Sequence, residues 1–577
     1  MEKANVDRRR VLAGAGIAAA TAVTGWVSAR AAEAGAADRW DHEVDVVCVG
    51  SGAAASTAAV TATAAGARVL VLEKMPIAGG TTAKSGGVLW IFNNFILKQQ
   101  GIADPKEDAL KYAVRYGFSR EFDPASPTLG LDETRYGVIE AFYDRGSEAI
   151  DHLRTLDAVQ FKQFRMFQVD HPAPDYADHL PENKVPTGRT LEPMVGSGSS
   201  EGGGSLATSL HRYLAAKKVP ILLETRVTKI VRDATGRVIG VEAEQEGKPI
   251  RIKASRGVVF GTGGYSHNVD LCRLHQPWVY GTCSLPGSTG DFIELAQAAG
   301  ARMGTLGTAW RSQVVLGEAL ENRGVGWGAF VLPGDSMILV NKYGKRVVNE
   351  KRDYNDRTQS HFHYDAAHEE YTNHLQFMLF DERSIDAFGG AFPFPANKGE
   401  QPHLIEGASW DDLFAKVDAQ LAKWASSTGG LRLADSFGTT AKTTIEAFNG
   451  YARAGVDPEF NRGKYLYDRE WHLLFSGRRA GTKFPPNPYP NPVMHPFADT
   501  GPYYCILLGP GTLDTSGGPQ IDAQARVLAA DGTPIPGLYG AGNCIAAPTG
   551  QAYLGAGGTI GPAVTFGYIA GKNAARG

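Results

Sequence analysis

Two short apolar runs flank a stretch of small residues near residue 50, and this pattern predicts a strand, a helix and a second strand. Residues 44–49 have the length and composition of a buried strand. Residues 53–65 are mostly alanine and threonine, which predicts a helix that Gly66 ends. Residues 68–72 form a second apolar strand that runs into Glu73. The order is that of a β-α-β unit with two parallel strands.

The turn from the first strand into the helix reads Gly50-x-Gly52-x-x-Ala55. In this pattern the first glycine makes the tight turn, the second lets a pyrophosphate approach the backbone, and the small third residue lets the helix pack close to the sheet. The free amides of the helix N-terminus bind phosphate, and a carboxylate such as Glu73 at the end of the second strand accepts the ribose hydroxyls. The unit predicts a dinucleotide site and does not by itself distinguish FAD from NAD. The residues expected to form it are Gly50, Ser51, Gly52, Ala53, Ala54 and Glu73.

Two later glycine-rich segments favour an extended cofactor and therefore FAD. Residues 78–90, AGGTTAKSGGVLW, supply small residues and hydroxyls directly after the acid-bearing strand. Residues 257–268, GVVFGTGGYSHN, read as an apolar strand that returns the chain to the same sheet. The run 196–205, GSGSSEGGGS, is either a flexible linker or a close approach to the cofactor. The cofactor contacts expected from the first two segments are Gly80, Thr81, Thr82, Ser85, Gly86, Gly87, Thr262 and Gly263.

The C-terminal segment is rich in glycine and yet apolar, which is unusual for a chain terminus. A short strand at 538–540 leads into Gly540-Ala541-Gly542-Asn543, and a GAGG run at 555–558 precedes a helix. Pro562 is tolerated only in the first turn of a helix, which places the helix start near Thr559. The amides at this N-terminus can face the O2 end of a reduced flavin or the pyrophosphate. We expect this segment to complete the FAD site through Gly542, Asn543, Gly558, Thr559 and Ile560.

Composition and charge narrow the class of protein further. The chain has 577 residues, too many for one hydrophobic core, so two domains are expected. The net charge of -3 and the absence of a basic block beyond the first dozen residues give no electrostatic basis for nucleic-acid binding. The five cysteines are scattered and form no CxxC, which disfavours a disulfide framework, a zinc ribbon or an attached haem. His171 and His179 lack metal-ligand spacing, so no metal site is expected.

The N-terminal residues 1–31 predict an export signal. Arg8 and Arg9 precede a weakly apolar, alanine-rich run that ends in Ala29-Arg30-Ala31, the order of a Tat-type signal with a small-residue cleavage site. The apolar run is shorter than the ~20 residues that a membrane span needs, and Arg30 interrupts it. We therefore expect a periplasmic protein with no stable membrane span.

These motifs together resemble the succinate dehydrogenase/fumarate reductase flavoprotein superfamily, from about residue 41 to the end of the chain. The resemblance rests on GSGAAA, GGTTAKSGG, GTGGY, STGDFIELAQAAGA (288–301), LVNKYGKRVVNE (339–350) and GAGN. Within the superfamily, the tail GQAYLGAGGTIGPAVTFGYIA is similar to the 3-ketosteroid Δ1-dehydrogenases. Fumarate-reductase-type members carry a histidine before TMGG and an arginine in NRLGGN, whereas this chain reads LDTSGG and AYLGAGG. The resemblance therefore favours a neutral ketone over a dicarboxylate as substrate.

The resemblance implies an α/β fold with a discontinuous Rossmann-like FAD-binding domain and an inserted α+β catalytic, or capping, domain. The expected boundaries are 41–300 and 490–577 for the two parts of the FAD-binding domain, and 301–489 for the insert. It also implies cofactor contacts at Lys74, Val227 and Asp291.

The resemblance further implies a reaction in which a hydride leaves C1 of a 3-oxosteroid for flavin N5 and a tyrosine takes the proton from C2. Tyr354, which follows the stretch RVVNE, matches the family's base, and Tyr176 is expected to support it. Tyr504, in GPYYC, is expected to donate to the ketone together with the amide of Gly509 or Gly511. Tyr553 in the flavin-side loop is a further candidate for substrate contact.

Two other functions are compatible with the same cofactor site. One is an FAD-dependent reductase that runs the reverse reaction on an enone or a fumarate-type acid. The other is a flavin-binding redox module without substrate turnover. The sequence carries no haem or Fe–S motif, so we expect electrons to leave through a diffusible acceptor such as a quinone or a cytochrome.

Overall fold

The computed structural model describes residues 39–166, 170–194, 202–473 and 486–577. The expected export signal at 1–31 and most of the 196–205 run lie outside the described residues.

The strands follow one another along the chain in this order: β1 (His42–Val49), β2 (Val69–Leu72), β3 (Leu89–Trp90), β4 (Gln160–Gln163), β5 (Arg165–Met166), β6 (His171–Pro172), β7 (Thr190–Met194), β8 (Ile221–Leu222), β9 (Thr225–Arg232), β10 (Val238–Gln245), β11 (Lys248–Phe260), β12 (Gly281–Thr282), β13 (Ala309–Val315), β14 (Met337–Val340), β15 (Gln376–Asp381), β16 (Ile405–Gly407), β17 (Tyr503–Thr515), β18 (Arg526–Leu528) and β19 (Pro534–Gly540).

The α-helices are α1 (Ala53–Ala64), α2 (Gly80–Lys84), α3 (Phe95–Gln99), α4 (Lys106–Gly117), α5 (Glu133–Thr155), α6 (Gly202–Ala216), α7 (Val269–His275), α8 (Asp291–Ala298), α9 (Leu316–Glu321), α10 (Tyr354–Gln359), α11 (Glu382–Phe388), α12 (Trp410–Lys423), α13 (Phe437–Ala454), α14 (Leu466–Glu470) and α15 (Ile560–Ala574). Within the described residues, no helix is both long enough and apolar enough to cross a bilayer.

The first sheet joins both ends of the chain. Its strands lie in the order β18-β19-β11-β1-β2-β8, and β10 and β9 extend it beside β11. The neighbours from β19 to β8 are parallel, and the last four residues of β1 are fully or nearly fully buried. Burial on both faces explains why these strands read as unbroken apolar runs in the sequence. The expected β-α-β unit and the return of the C-terminal segment to the same sheet are both present.

The second sheet contains most of the strands of the predicted insert. Strands β12, β17, β15 and β14 form its main path, and β13 and β16 also pair with β17. Strand β17 was expected in the FAD-binding domain, because the predicted boundary lies at residue 490. It pairs instead with strands of the insert along its whole length. A fully buried strand gives no sequence signal of which sheet it joins, so this boundary could not be read from the pattern.

The glycines of α15 explain the unusual composition of the C-terminal segment. This helix is buried almost throughout and packs against α1 and β3. A methyl group added at Gly561 would lie 2.1 Å from the carbonyl oxygen of Trp90, and one at Gly567 would lie 2.3 Å from that of Ala54. The glycines therefore let the helix backbone touch neighbouring backbone, which an apolar but larger residue would prevent.

Candidate active site

A cleft lies at the carboxyl ends of the first sheet's parallel strands. Ligands of open α/β sheets bind at this edge. The cleft brings together residues that are far apart in the sequence. The sequence-predicted residues that line it are Gly50, Ser51, Gly52, Ala53, Ala54, Glu73, Lys74, Gly80, Thr81, Thr82, Ser85, Val227, Thr262, Gly263, Asp291, Gly542, Asn543, Thr559 and Ile560.

Gly50 and Glu73 line the end of the cleft where the dinucleotide pattern predicts that the adenosine binds. Gly50 has a φ of 102°, and a methyl group there would lie 2.5 Å from the carbonyl oxygen of Gly261. The Glu73 carboxylate accepts from the Ser51 amide at 3.1 Å and from the Ser51 hydroxyl at 2.5 Å. A carboxylate held against the turn at the end of β2 fits the ribose of a dinucleotide.

Lys74 and Asp291 form an ion pair beside this end of the cleft. The Lys74 Nζ lies 3.0 Å from Asp291 Oδ2, and Arg226 also donates to this carboxylate. The pKa of Asp291 is lowered because the two cations and the Thr289 hydroxyl outweigh the effect of burial. Asp291 therefore carries a charge that neighbouring cations neutralise.

Three of the residues expected at the cofactor do not line the cleft, and all three are glycines. Gly87 has a φ of 70° and packs against the backbone of Gly202 and Gly203, where a methyl group would approach within 2.4 Å. Gly86 lies beside it, and Gly558 packs against Tyr553 and Gly555. Glycine composition indicates a close approach between backbones, and it does not say whether the neighbour is a ligand or protein.

Four tyrosine and tryptophan side chains from distant segments meet next to the cleft. The hydroxyl oxygens of Tyr176 and Tyr354 are hydrogen bonded at 3.0 Å. The Tyr553 ring lies 5.4 Å from each of these two rings, between centroids. Trp310 lies 5.4 Å from the Tyr553 ring and itself lines the cleft. We call Tyr176, Tyr354 and Tyr553 the tyrosine cluster.

Backbone contacts fix the members of the tyrosine cluster. Tyr354 is the first residue of α10, whose N-terminus is capped by the Asp353 carboxylate at 2.9 Å from the Asp356 amide. The Tyr176 amide donates to the carbonyl of Leu554 at 3.1 Å, which ties its segment to the Tyr553 loop. The three hydroxyls of the tyrosine cluster thus come from chain segments that are far apart in the sequence.

Burial is the largest influence on the pKa values of Tyr354 and Tyr553. It raises the pKa of Tyr354 well above the usual range. The pKa of Tyr553 is raised less, to about 12, because hydrogen bonds from Tyr354 and from the amides of Gly557 and Thr559 oppose burial. In the substrate-free protein the cluster is therefore neutral at pH 7.

Tyr504 and the two candidate amide donors lie elsewhere in β17. The Tyr504 hydroxyl donates to Glu382 at 2.5 Å, and its ring stacks on Phe380 at 5.6 Å. In the described part of the chain, no hydrogen bond or ring contact joins Tyr504 to the tyrosine cluster. Gly509 and Gly511 pair with Val314 and Ser312 of β13 within the second sheet. The structure therefore does not support the expected group of Tyr504, Gly509 and Gly511 around a ketone.

Trp310 and Asp514 are among the site residues that the sequence patterns missed. Trp310 links the cleft to the tyrosine cluster, and its indole N–H donates to Asn543 Oδ1 at 2.8 Å. Asp514 also lines the cleft. Asp514 belongs to the segment LDTSGG, which differs from the corresponding segment of fumarate-reductase-type members. No sequence motif includes Trp310.

The cleft fits FAD, and the comparison with protein families agrees. A family model described as FAD binding domain matches residues 45–560, so the chain belongs to this family. It is an FAD-dependent oxidoreductase that shares its family with the 3-oxosteroid 1-dehydrogenases.

Particular relatives cover nearly the whole chain. It is 31% identical to a 4-oxocyclohexanecarboxylate 2-dehydrogenase of Sinomonas cyclohexanicum, over 92% of each chain. It is also 31% identical to a 3-oxosteroid 1-dehydrogenase of Mycolicibacterium smegmatis, over 92% of this chain and 96% of that one. Among solved structures, it is similar to a 3-ketosteroid delta1-dehydrogenase from Sterolibacterium denitrificans in complex with 1,4-androstadiene-3,17-dione. That match has a TM-score of 0.73 and 26% identity, and covers 93% of this chain and 100% of the other.

Proposed function

We propose that the protein introduces a carbon–carbon double bond next to the carbonyl of a 3-ketosteroid or a similar ring ketone. The observation that carries this proposal is the tyrosine cluster, which lies against the FAD cleft at Trp310. The relatives named for 3-oxosteroid and oxocyclohexane dehydrogenation support the same reaction class.

The substrate ketone would be bound by the Tyr553 hydroxyl and the backbone amide of Gly557. Both groups belong to the segment before α15, and the Gly557 amide lowers the pKa of Tyr553 against the effect of burial. Donors aimed at a carbonyl oxygen stabilise the negative charge that develops there when an α-proton leaves. This assignment replaces Tyr504 as the ketone donor.

Tyr354 would take the proton from the carbon next to the carbonyl. Its hydroxyl contacts Tyr176, which can donate a hydrogen bond to the oxygen of ionised Tyr354 and so favour the charged form. FAD held in the cleft would supply the acceptor for the hydride of the adjacent carbon. The aromatic walls of the cluster exclude water from the site.

The surroundings of Tyr354 favour an uncharged, apolar substrate. Phe330 lies 5.2 Å from Tyr354 between ring centroids, and it also lines a neighbouring pocket. The wall of this pocket consists of Trp327, Gly328, Phe330, Val331, Gly390, Phe392, Phe394 and Ala396. The residues of that wall that the structure describes carry no charge, and most of them present apolar surface.

The test is anaerobic titration of the purified flavoprotein while FAD absorbance is followed. The panel contains a saturated 3-ketosteroid, a 4-ene-3-ketosteroid, 4-oxocyclohexanecarboxylate and succinate. We expect bleaching by at least one 3-ketosteroid and none by succinate. Bleaching by succinate, with oxidation of the reduced protein by fumarate, would support a fumarate-type reductase instead. Absence of bleaching by every compound would support a redox module without turnover.

We also propose that the protein is exported by the Tat pathway and that a quinone or a periplasmic cytochrome reoxidises it. The twin arginine Arg8-Arg9 and the following apolar run support export. Cell fractionation of wild type and the Arg8→Lys/Arg9→Lys variant tests it, and equal periplasmic amounts would contradict the proposal. Rapid mixing of reduced protein with a soluble quinone, compared with cytochrome c and oxygen, tests the acceptor.

A further inference from the structure

Asp514 is a buried acid in the wall of the FAD cleft, and the proposed reaction gives it no role. It lies next to the last residue of β17, and its residue surface is 2% exposed. Its side chain faces the turn after β11, where a methyl group added at Gly263 would lie 3.6 Å from Asp514 Oδ2. A carboxylate in this position needs an explanation, because burying a charge is costly unless neighbours compensate it.

All the hydrogen-bond partners of Asp514 act as donors, and none of them is charged. Oδ1 accepts from the Ser266 hydroxyl at 2.8 Å and the Thr515 amide at 2.9 Å, and Oδ2 accepts from the Gly264 amide at 2.9 Å, Asn543 Nδ2 at 3.3 Å and the Ser288 hydroxyl at 3.4 Å. Burial raises the pKa of Asp514, and these donors oppose that rise. Hydrogen-bond donors stabilise the ionised form of a carboxylate. Because these donors are uncharged, they do not cancel the negative charge of Asp514.

Asp514 lies at the end of the cleft that faces the tyrosine cluster. The Asn543 side chain that donates to Asp514 accepts from Trp310 Nε1 at 2.8 Å and from the Thr559 hydroxyl at 2.9 Å. Trp310 in turn contacts Tyr553. The ring of FAD that accepts a hydride must face the substrate, and the cluster marks that end. This step rests on the proposed function.

We propose that the Asp514 carboxylate lowers the two-electron reduction potential of the bound FAD. Hydride transfer brings two electrons and one proton to the flavin, so one negative charge remains on the ring until a second proton binds. A fixed anion in a buried site opposes this charge, while the N-terminus of α15 at Thr559 and Ile560 favours it. The reduction potential of the flavin then depends on two opposing effects: the Asp514 carboxylate lowers it and the N-terminus of α15 raises it.

The experiment measures the midpoint potential of the substrate-free holoenzyme by equilibration with a redox dye. Asp514→Asn keeps the shape of the side chain and removes its charge. We expect the ratio of reduced to oxidised FAD at a fixed potential to rise about 10- to 100-fold, which for a two-electron couple is an upward shift of about 30 to 60 mV. The matched control is Asp291→Asn, which removes another acid from the same cleft. Because the Lys74–Asp291 pair lies beside the end of the cleft predicted for the adenosine, away from the tyrosine cluster, we expect this control to shift the potential much less.

An unchanged or lower potential in Asp514→Asn, or an equal rise in Asp291→Asn, would overturn the proposal. Asp514→Ser is the second neutral variant if Asp514→Asn does not retain FAD, and it must show the same rise. Loss of FAD from both variants would identify Asp514 as a structural residue and would also overturn the proposal. Since no substrate is present, failure here is distinct from failure of the proposed ketone dehydrogenation, which the titration detects.

Discussion

The hydroxyl groups of Tyr176 and Tyr354 are hydrogen bonded at 3.0 Å although 178 residues separate them in the chain. Tyr176 belongs to the N-terminal part of the FAD-binding domain, and Tyr354 begins a helix of the insert. The contact therefore joins segments on either side of the predicted domain boundary, next to the FAD cleft. It holds the expected base in a dry site, where its ionisation depends on neighbouring hydroxyls.

Replacement of Tyr354 by Phe is expected to abolish proton removal and leave FAD bound. Loss of a positioned base typically costs a factor of about 10² to 10⁴ in rate. Stopped-flow measurement of FAD bleaching by the best substrate of the titration panel gives the rate. The absorbance of bound FAD should match that of wild type. Bleaching by the variant at the wild-type rate would remove Tyr354 from the mechanism.

The bleaching rate is expected to rise with pH across the neutral and alkaline range. Burial raises the pKa of Tyr354 well above its usual range, so the phenolate is the minor form at pH 7. Below that pKa, the phenolate fraction and hence the rate should increase about tenfold per pH unit. Tyr176→Phe removes a hydrogen bond to the phenolate and should move the rise to higher pH. A flat profile from pH 7 to 9.5 in wild type would argue against a tyrosine base.

Comparison of Tyr553→Phe with Tyr504→Phe distinguishes the two candidate ketone donors. Tyr553 belongs to the cluster, whereas the Tyr504 hydroxyl is hydrogen bonded to Glu382. Removal of one donor to a developing oxyanion costs about 10²- to 10³-fold. We expect a loss of this size in Tyr553→Phe and a change of less than about threefold in Tyr504→Phe. The reverse result would restore Tyr504 as the donor.

The free energy of unfolding is expected to fall as the pH drops below 6.5, in part because of His361. This side chain is buried against Gln313, and burial lowers its pKa to about 3. The unfolded chain binds a proton near pH 6.5 that the folded protein excludes, so stability is full above pH 6.5 and is lost as the pH falls toward 3. Urea unfolding at pH 7 and pH 5 measures the loss. His361→Asn should reduce this pH dependence, whereas the exposed His363→Asn should not.

Gly567→Ala is expected to destabilise the fold through overpacking. The added methyl group would lie 2.3 Å from the Ala54 carbonyl oxygen, so α15 must move away from α1. Overpacking of this kind costs about 1–3 kcal/mol. Gly450→Ala in α13 is the matched control because nothing lies within 4 Å of its added methyl group. This control should stabilise the protein by about 0.5–1 kcal/mol, as alanine does in an open helix position. Similar unfolding midpoints for both variants would contradict the packing argument.

The sequence alone determined the cofactor and the local elements that bind it. The Gly50-x-Gly52 turn, Glu73 and the apolar strands around them are encoded within about thirty adjacent residues, so local propensity and spacing suffice to predict them. Resemblance to related chains added Tyr354 and Tyr176 as candidates, and the structure places them in contact.

Only the tertiary structure decided which distant groups meet. Strand β17 pairs within the second sheet, where the Tyr504 hydroxyl is hydrogen bonded to Glu382, whereas Tyr553 lies beside Tyr354. Trp310 and Asp514 became part of the cleft although no motif marks them as cofactor residues. Strand pairing between remote segments depends on the packing of both faces of a sheet. No single segment carries that information, because buried strands from either sheet have the same apolar composition.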